Sequence, residues 1–260
     1  MNSSKFCESQ GAHVDLWLAY YGEFQNDDPA LLELLNPAER EQQARFHFGD
    51  DRLRYLVTRA MVRKVLSRYA DVAPKAWNFE NNAYGRPEIS GLHTQASGLR
   101  FNLSHTGGLI VLAVCRAFEM GVDVEHLDRK AALGVAERFF SPVEAAELAS
   151  LGLELQSQRF FDYWTLKESY IKARGMGLSI PLDRFSFAFP TPETVSLRTD
   201  PVLGDDAGRW QFWQLRLPEN YQLAICTEKP AKGVRALKFR RMATMDEFTP
   251  LEVQTLRMSV

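Results

Sequence analysis

Residues 121–125 read Gly121-Val122-Asp123-Val124-Glu125, and this stretch decides how the rest of the chain is interpreted. Two valines alternate with two carboxylates, which is the period of a β-strand, because successive side chains of a strand point to opposite faces. One face would be apolar, and the other would carry both carboxylates. Asp and Glu are poor strand formers, so a bound cation with oxygen ligands is one explanation for the pair. A half-exposed strand with a polar face is the alternative.

The composition is that of a globular protein and excludes several classes of function. Of 260 residues, 45% are hydrophobic and 25% are charged, which is enough for one large core or two small ones. Lys and Arg total 31 against 33 Asp and Glu. With no global basic field, neither nucleic acid nor an anionic membrane is expected as a partner, and any anion site must be local.

The sequence predicts neither an export signal nor a membrane span. The first residues, MNSSKFCESQ, lack an apolar segment, and no run approaches the roughly eighteen apolar residues of a transmembrane helix. We therefore expect a cytoplasmic protein. Cys7, Cys115 and Cys226 are too few and too scattered for a disulfide framework or a metal knuckle. The last two lie in apolar runs typical of buried strands.

Blocks of sequence in the first half recur in the same order in the second. Asn36-Pro37-Ala38-Glu39 and Ser141-Pro142-Val143-Glu144 each combine an N-cap residue, a proline at the first helical position and a glutamate at the third. A longer helical pattern and then a hairpin follow in each half. The matched blocks are the helices near 50–69 and 160–174, the strands after them near 77–79 and 181–189, and the hairpins 99–116 and 210–226.

This recurrence predicts an α+β fold made of two similar α/β subdomains related by a pseudo-two-fold axis, with a ligand cleft between them. The predicted boundaries are 1–118 for the first half, 119–228 for the second half with the metal site, and 229–260 for a C-terminal extension of unassigned role. The alternative is that helix caps and apolar strands recur by chance.

The helix DYWTLKESYIKARG carries the second set of candidate residues. Trp164, Glu168 and Lys172 are spaced four apart and therefore lie nearly above one another. With Trp164 facing the core, Glu168 is expected at the core boundary. Together with Asp123 and Glu125 it would form a three-carboxylate site suited to Mg²⁺, whose remaining ligands are water and substrate phosphates. A solvated Glu–Lys pair on the helix surface is the alternative.

Two glycine-containing turns offer further ligand groups. The first, 102–108, is predicted to be a hairpin turn that presents the Ser104 hydroxyl, the His105 imidazole and glycines that let a ligand approach the backbone. The second is Tyr84-Gly85-Arg86-Pro87. Each turn alone is typical of a solvated loop, but as a pair flanking one cleft they would hold a nucleotide and its phosphates.

These residues carry a resemblance to a known family. GRP at 85–87, FNLSHTGG at 101–108, GVDVE at 121–125, RFFSPVE at 138–144 and the run WTLKESYIKARGMGLSIPLDRFSF at 164–187 resemble the ordered motifs of the Sfp-type 4′-phosphopantetheinyl transferases. The likeness covers about residues 36–190 and leaves the tail out. It implies a fold of two α+β halves with coenzyme A between them, in agreement with the internal repeat.

The resemblance also implies a reaction. A serine hydroxyl of an apo acyl carrier or peptidyl carrier protein attacks the β-phosphate of coenzyme A, and 3′,5′-ADP leaves. By this likeness Asp123, Glu125 and Glu168 hold Mg²⁺, while Lys172 and His105 contact phosphate oxygens. Glu168 is also the first candidate for the base that takes the serine proton, with Glu144 or water as alternatives.

The nucleotide side of the site is implied in the same way. Its candidates are Gly85, Arg86, Pro87, Asn102, Ser104 and His105, with Lys172. One departure affects the 3′-phosphate, because Glu39 and Gln42 stand where relatives have basic residues in the first capped helix. Arg45, Arg52 and Arg54 are therefore the candidates for that phosphate, and a solvated helix face is the alternative.

The expected protein partner is a carrier domain, and the chain is expected to be a monomer. Carrier domains are acidic around their serine, so the linker 126–138, with Arg129 and Lys130, is the predicted docking edge. A module that binds a carrier without transfer would have lost a carboxylate or the lysine, and all of them are present. A different nucleotide phosphotransferase is disfavoured because no G-x-x-x-x-G-K-[ST] loop occurs. Fatty-acid, polyketide and peptide synthases all remain open as sources of the carrier.

Overall fold

The structure, a computed structural model, describes residues 13–93 and 96–259; Cys7 and the N-terminal segment considered above lie outside these ranges. The α-helices are α1 (Pro29–Leu34), α2 (Pro37–Ala44), α3 (Gly49–Leu66), α4 (Leu133–Phe139), α5 (Pro142–Ser150) and α6 (Leu153–Arg174). The strands are β1 (His13–Tyr20), β2 (Phe79–Asn81), β3 (Pro87–Ile89), β4 (Leu99–Thr106), β5 (Leu109–Arg116), β6 (Met120–His126), β7 (Phe185–Ala188), β8 (Ser196–Thr199), β9 (Trp210–Leu217), β10 (Tyr221–Glu228), β11 (Ala236–Met242), β12 (Phe248–Pro250) and β13 (Gln254–Met258).

Two sheets with matching topology form the centre of the fold. Sheet 1 has the strand order β12-β11-β1-β5-β4, and sheet 2 has the order β13-β9-β10-β6. The trio β1-β5-β4 and the trio β6-β10-β9 are both antiparallel throughout, and in each the first strand precedes the helices and the hairpin follows them. The two similar α/β halves predicted from the repeat are confirmed by this architecture.

Alternation along the strands separates the core into layers. Leu16 and Leu18 of β1 pack with Val122 and Val124 of β6 in one buried cluster between the sheets. Trp17, from the opposite face of β1, packs instead against α1–α3. A third cluster lies between sheet 2 and α4–α6. Each sheet is therefore covered by its partner sheet on one face and by helices on the other, as the period of two requires.

Helices α2 and α5 each begin with a capping box, as predicted. The side chain of Asn36 accepts the Glu39 N–H, and Ser141 does the same for Glu144, while each glutamate accepts its N-cap N–H in return. Both glutamates also reach inward to a buried cation. These inner partners are Arg63, with Nε 2.9 Å from Glu39 Oε2, and Lys167, with Nζ 2.7 Å from Glu144 Oε2.

The β4–β5 hairpin is tighter than the sequence predicted. Backbone pairing continues to Thr106 opposite Leu109, so Ser104 and His105 lie in strand β4 and the turn is only Gly107-Gly108. Gly108 has φ +88°, and a Cβ there would lie 2.4 Å from the Tyr221 hydroxyl oxygen. The prediction of a turn at 102–108 was wrong because a two-residue glycine loop lets the strand pairing continue to Thr106.

The two similar runs Leu-Ala-Val-Cys at 112–115 and Leu-Ala-Ile-Cys at 223–226 are not structural equivalents. Ala113 and Cys115 face the layer between the sheets, whereas Ala224 and Cys226 face the helices that cover sheet 2. A slip of one residue reverses the face of every side chain in a strand. Both thiols are free and buried, as expected from their apolar runs.

The C-terminal segment contributes strands to both sheets. β11 pairs in parallel with β1, β12 pairs with β11, and β13 pairs with β9 across a bulge. The segment 229–260, predicted to be an extension, therefore adds strands to the sheets of both halves. The division of the chain into 1–118, 119–228 and 229–260 stays a prediction. Among the described residues, none of the helices has the length and apolar character needed to cross a membrane.

Candidate active site

The two sheets meet where edge strand β4 lies beside edge strand β6. The Asn102 Oδ1 atom accepts the Val122 N–H at 3.0 Å, and the Ser104 Oγ atom accepts the Val124 N–H at 3.1 Å. Both pairs have the same offset along the chain, so the two strands run in the same direction. Side chains of β4 take the place that carbonyl groups have in an ordinary ladder. Asn102 and Ser104, predicted to contact the nucleotide, first of all join the two halves.

Asp123 lies at the centre of this junction. Its Oδ1 atom is 2.7 Å from Lys172 Nζ of α6 and accepts the Ser104 hydroxyl at 2.9 Å. Lys172 also donates to Ser104 Oγ at 3.0 Å. The aspartate is 5% exposed. A strand, an edge residue of the other sheet and a helix thus converge on one carboxylate, as the alternation in 121–125 predicts.

Gly121 allows α6 to come close enough for this contact. A Cβ at this position would lie 2.1 Å from Ser169 O and 2.3 Å from Ala173 N, which are backbone atoms of α6. The helix therefore packs directly on the backbone of β6, which places Glu168 and Lys172 beside Asp123. Only a glycine permits that approach.

Glu125, the second carboxylate of β6, has a different set of partners. Its Oε2 atom lies 2.5 Å from Arg129 Nη1 and 3.1 Å from the Thr106 hydroxyl. Burial and the nearby Asp123 charge raise its pKa above the usual carboxyl value. Because one anion is paired with Lys172 and the other with Arg129, the two carboxylates can lie on one strand face without a metal.

Glu168 is the unpaired carboxylate of the group. Among the described residues it has no ion pair within 4.0 Å. Burial is the first cause and repulsion by Asp123 the second of a pKa that rises to about 7, with Glu125 adding to the rise and Lys172 opposing it. Glu168 lines the cleft together with Lys172, and its grouping with Asp123 and Glu125 as metal ligands stays a prediction.

An open cleft with two adjoining lobes contains Asp123 and Glu168 in its walls. The lobes enclose about 480 Å³ and about 310 Å³ and share Pro87, Leu103 and Lys172. Both volumes fall within the range of ligand pockets. Asp123 lines the first lobe and Glu168 the second, whereas Glu125 lines neither. Asp123 and Glu168 are thus placed where the two lobes join.

The first lobe presents cations and aromatic rings from α3. Arg54 and Arg59 line it together with Tyr55, whose ring lies 5.3 Å from that of Phe46. His105 projects into the same lobe, where desolvation and then the charges of Arg54 and Lys172 lower its pKa. The neutral imidazole is therefore favoured, able to donate from one nitrogen and accept at the other.

The second lobe is bounded by the turn 82–87 of the first half, which is anchored on the C-terminal end of α6. Asn82 Nδ2 donates to Gly175 O at 2.8 Å, and Arg86 Nη1 donates to Ala173 O at 3.3 Å. Arg86 also pairs with Glu88 at 2.8 Å and Glu119 at 3.0 Å. Arg86 was predicted to be available to a nucleotide, but its guanidinium is largely engaged in holding the two halves together.

Comparison with known proteins identifies the family. One family model, described as the 4′-phosphopantetheinyl transferase superfamily, matches residues 119–226, and a second, 4′-phosphopantetheinyl transferase, N-terminal, matches residues 21–117. The chain is 30% identical over 206 residues to 4′-phosphopantetheinyl transferase Sfp of Bacillus subtilis, covering 79% of this chain and 88% of that protein. The chain belongs to the 4′-phosphopantetheinyl transferase superfamily. As a member, it is an enzyme of the transferase class.

Other phosphopantetheinyl transferases show similar likeness over most of their length. The HetI protein of a Nostoc species is 35% identical over 213 residues, covering 82% of this chain and 86% of the relative. The L-aminoadipate-semialdehyde dehydrogenase-phosphopantetheinyl transferase of Xenopus laevis is 28% identical over 207 residues, covering 74% of this chain and 67% of the relative. The resemblance first read from short motifs is thereby confirmed at the level of the whole chain.

Some residues predicted for a phosphopantetheinyl transferase site lie elsewhere. Arg45 is exposed at the end of α2 and pairs with Glu41 at 2.5 Å. Arg52 donates to Phe46 O at 2.8 Å, outside the lining of the first lobe. Glu144 is fully buried, and its oxygens are bound to Lys167, to Ser141 and to the Phe187 N–H. Glu144 is therefore unsuited to be the base.

Arg59 was missed by sequence reasoning. It follows the predicted Arg54 by five residues on α3, and the face that they share with Asp51 and Tyr55 lines the first lobe. Polar residues at spacings of three, four and eight from Asp51 on α3, which end at Arg59, were the available signal. What the sequence did not show is which polar face of the helix is turned to the cleft.

The fit of a divalent cation to this phosphopantetheinyl transferase site rests on the donor set. Within the described residues, no group of three or more His, Cys, Asp or Glu side chains is arranged so that it could hold a metal ion. Yet Asp123 Oδ2 is buried without a hydrogen-bond partner, which is costly for a carboxylate oxygen. Glu168 has no ion pair within 4.0 Å among the described residues. Asp123 and Glu168 are hard oxygen donors, so their donor chemistry suits Mg²⁺.

Proposed function

We propose that this chain transfers the 4′-phosphopantetheine group of coenzyme A to a serine of an apo acyl carrier or peptidyl carrier protein, in a Mg²⁺-dependent reaction that releases 3′,5′-ADP. The observation that carries the proposal is the group formed by Asp123, Lys172 and Glu168 where the two lobes of the cleft meet. Family membership supplies the reaction class, and this group supplies the charges that such a reaction requires.

In the proposed reaction, the serine oxygen forms a bond to the β-phosphorus of coenzyme A. The bond from that phosphorus to the oxygen that bridges the two phosphates breaks, and 3′,5′-ADP departs with the electron pair. The serine proton passes to a base on the enzyme. Catalysis of phosphoryl transfer rests chiefly on positioning and on neutralising charge, so the fixed cations of the cleft are the relevant groups.

Mg²⁺, held by Asp123, Glu125 and Glu168, would neutralise the charge that develops on the diphosphate. Lys172 adds a fixed ammonium group, because its Nζ atom is already held by Asp123 and Ser104. Neutral His105 would donate a hydrogen bond to a phosphate oxygen without requiring a proton from solvent. The Lys172 and His105 side chains both line the first lobe, so they would reach the same phosphate.

Glu168 is the proposed base, either directly or through a water molecule. A pKa of about 7 leaves the carboxylate available as a proton acceptor at neutral pH while keeping it more basic than an ordinary glutamate. Its place in the second lobe, next to Lys172, is compatible with that role. When a Glu168 oxygen accepts the serine proton, it uses one lone pair for that proton. Only its other lone pairs would then be available to bind the metal.

The nucleotide is proposed to span both lobes. Arg54 and Arg59 provide cations for the 3′-phosphate in the first lobe. They would replace the basic side chains that relatives have at the positions of Glu39 and Gln42. In the second lobe the backbone at Gly85 and the ring of Pro87 form the wall against which the adenine ring of the nucleotide would lie. Gly85 has φ +89°, so this turn keeps its shape only with a residue that tolerates the left-handed region.

The test is the mass of an apo carrier protein after incubation with the enzyme, coenzyme A and Mg²⁺. We expect a gain of one phosphopantetheine group, and no gain when a chelator is present or when coenzyme A is omitted. A panel of carriers from fatty-acid, polyketide and peptide synthases would identify the physiological class. Unchanged mass across that panel, with carrier binding retained, would instead assign a non-catalytic binding module.

A further inference from the structure

Arg129 lies in an unusual position for a residue of a solvent-facing turn. Its Nη1 atom is 2.5 Å from Glu125 Oε2 and 3.2 Å from the Thr106 hydroxyl. The Arg129 side chain is 58% exposed, and that of Glu125 is 14% exposed. An exposed surface cation is thus bound to one of the three carboxylates proposed to hold the metal.

The other cation of the site is held very differently. Lys172 comes from the last turn of the core-packed helix α6, and its side chain is 26% exposed. Arg129 comes from the turn that follows β6, four residues after its partner. Exposed pairs of this kind are weak, because the ions are screened and long side chains must be ordered. Arg129 is therefore the cation that a competing charge can remove.

We propose that Arg129 holds Glu125 in the free enzyme and releases it when an acidic partner surface binds the guanidinium, so that partner docking strengthens metal binding. This inference rests on the proposed function, since the partner is the carrier protein and the metal is Mg²⁺. A guanidinium beside Glu125 neutralises the charge that a divalent ion needs and repels the ion directly. Carboxylates on the carrier would compete for that guanidinium.

The chain offers a matched control one residue away. Lys130 has the same charge, lies in the same segment and is exposed. Within the part of the chain that the structure describes, it makes no ion pair within 4.0 Å, whereas Arg129 contacts Glu125. Arg129→Gln and Lys130→Gln remove the same charge, so a difference between them reports the contact itself and not the general field.

The first measurement is Mg²⁺ affinity by calorimetry, with coenzyme A bound and no carrier present. We expect Arg129→Gln to bind Mg²⁺ about threefold more tightly than the unmodified enzyme, the size of a weak exposed ion pair. Lys130→Gln should bind it nearly as the unmodified enzyme does. Equal affinities in all three proteins, or equal gains in both variants, would overturn the proposal.

The second measurement adds a carrier whose acceptor serine is replaced by alanine, so that binding is observed without transfer. This carrier should tighten Mg²⁺ binding in the unmodified enzyme and in Lys130→Gln but not in Arg129→Gln, because coupling requires the displaced residue. Equal tightening in Arg129→Gln would refute the link. Transfer to the serine-bearing carrier, assayed by mass in the same preparations, tests the proposed function separately and can succeed while the inference fails.

Discussion

Helices α3 and α6 occupy corresponding places in the two halves, yet only α6 supplies charged groups to the junction of the cleft. Each contains a buried cation bound to a capping-box glutamate, Arg63 to Glu39 and Lys167 to Glu144. Each cation also donates to a carbonyl group that precedes a small hairpin, Trp77 O in the first half and Leu182 O in the second. The scaffold of the two halves is therefore the same.

The residue after the buried cation shows where the halves diverge. On α3 it is Lys64, which pairs with Asp246 of the C-terminal segment at 2.8 Å. On α6 it is Glu168, which lines the second lobe and has a pKa of about 7. In the first half this residue forms an ion pair with the C-terminal segment. In the second half the Glu168 carboxylate has no ion-pair partner among the described residues. A buried carboxylate with a raised pKa is typical of a functional site, so Glu168 indicates that the second half carries the proposed chemistry.

The largest expected effect comes from the buried ion pairs. Lys167→Met should reduce the free energy of unfolding by about 3–5 kcal/mol, because it leaves Glu144 fully buried without its cation. Arg63→Met should cost less, since Glu39 is partly exposed and has Arg59 at 4.0 Å. Urea denaturation monitored by circular dichroism measures both. Adding Glu144→Gln to Lys167→Met should recover part of the loss, and a greater loss in Arg63→Met than in Lys167→Met would contradict this account.

Glu168→Gln is expected to lower the rate of phosphopantetheine transfer by about a hundredfold or more, because it removes both a metal ligand and the proposed base. Burial and the Asp123 charge raise the pKa of Glu168 to about 7 without metal. A bound cation favours the ionised carboxylate, so with Mg²⁺ present the transfer rate of the unmodified enzyme should rise with pH below 7, as Glu168 loses its proton. The rise should be absent in the variant. The assay is the initial rate of carrier modification at several pH values, and a parallel rise in both proteins would assign the titration to another group.

The same substitution should have the opposite effect on stability. The pKa of Glu168 is higher in the folded protein than the usual 4.5, so its contribution to stability is full below pH 4.5 and is lost as pH rises through about 7. At pH 8, without metal, Glu168→Gln should therefore stabilise the fold by about 3 kcal/mol, since 7−4.5=2.5 pKa units at about 1.4 kcal/mol each. Denaturation at pH 8 and at pH 4.5 tests this, and an equal change at both values would exclude the burial of Glu168 as its cause.

Gly121→Ala tests the close approach of α6 to β6, and a loss of about 2–3 kcal/mol in unfolding free energy is expected from overpacking. The contacts it would create are with the backbone at Ser169 and Ala173, which cannot move as a side chain can. Gly134→Ala is the control, since a Cβ there meets nothing within 4 Å. Stability comparable to the control would mean that the helix can shift without strain.

The smallest effect is expected at the counterpart of Glu168 in the first half. Lys64→Gln breaks an ion pair with a largely exposed Asp246, so stability should change by less than about 0.5 kcal/mol. The transfer rate should be unchanged within the error of the carrier assay. A loss of transfer activity in Lys64→Gln would contradict the contrast between the halves, because it would mean that Lys64 also contributes to the reaction.

Much of the site could be predicted because its signals are local. Alternation placed Asp123 and Glu125 on one face, helical spacing placed Glu168 near Lys172, and two capping boxes gave helix starts that the structure confirms. The cations that pair with the carboxylates were not equally visible. Arg129 follows Glu125 by four residues, but in a turn and not a helix, so spacing alone did not indicate the contact.

Features that depend on distant pairing escaped the sequence. Nothing in Ala236–Met242 indicates that it forms a parallel strand with His13–Tyr20 at the other end of the described chain. Similarly, Ala113 and Ala224 occur in similar runs yet face different layers, because the face is set by register with neighbouring strands. Local pattern predicts an element and its amphipathic face, whereas tertiary packing decides what that face meets.

The position of β1 in sheet 1 constrains how the fold can form. This strand lies between β5 and β11, and its residue His13 pairs with Ala236, which is 236−13=223 residues further along the chain. Such long-range pairing slows folding, because the loop entropy is lost before the contacts form. We therefore expect sheet 1 to close late in folding, after sheet 2 has formed its hairpin of β9 and β10.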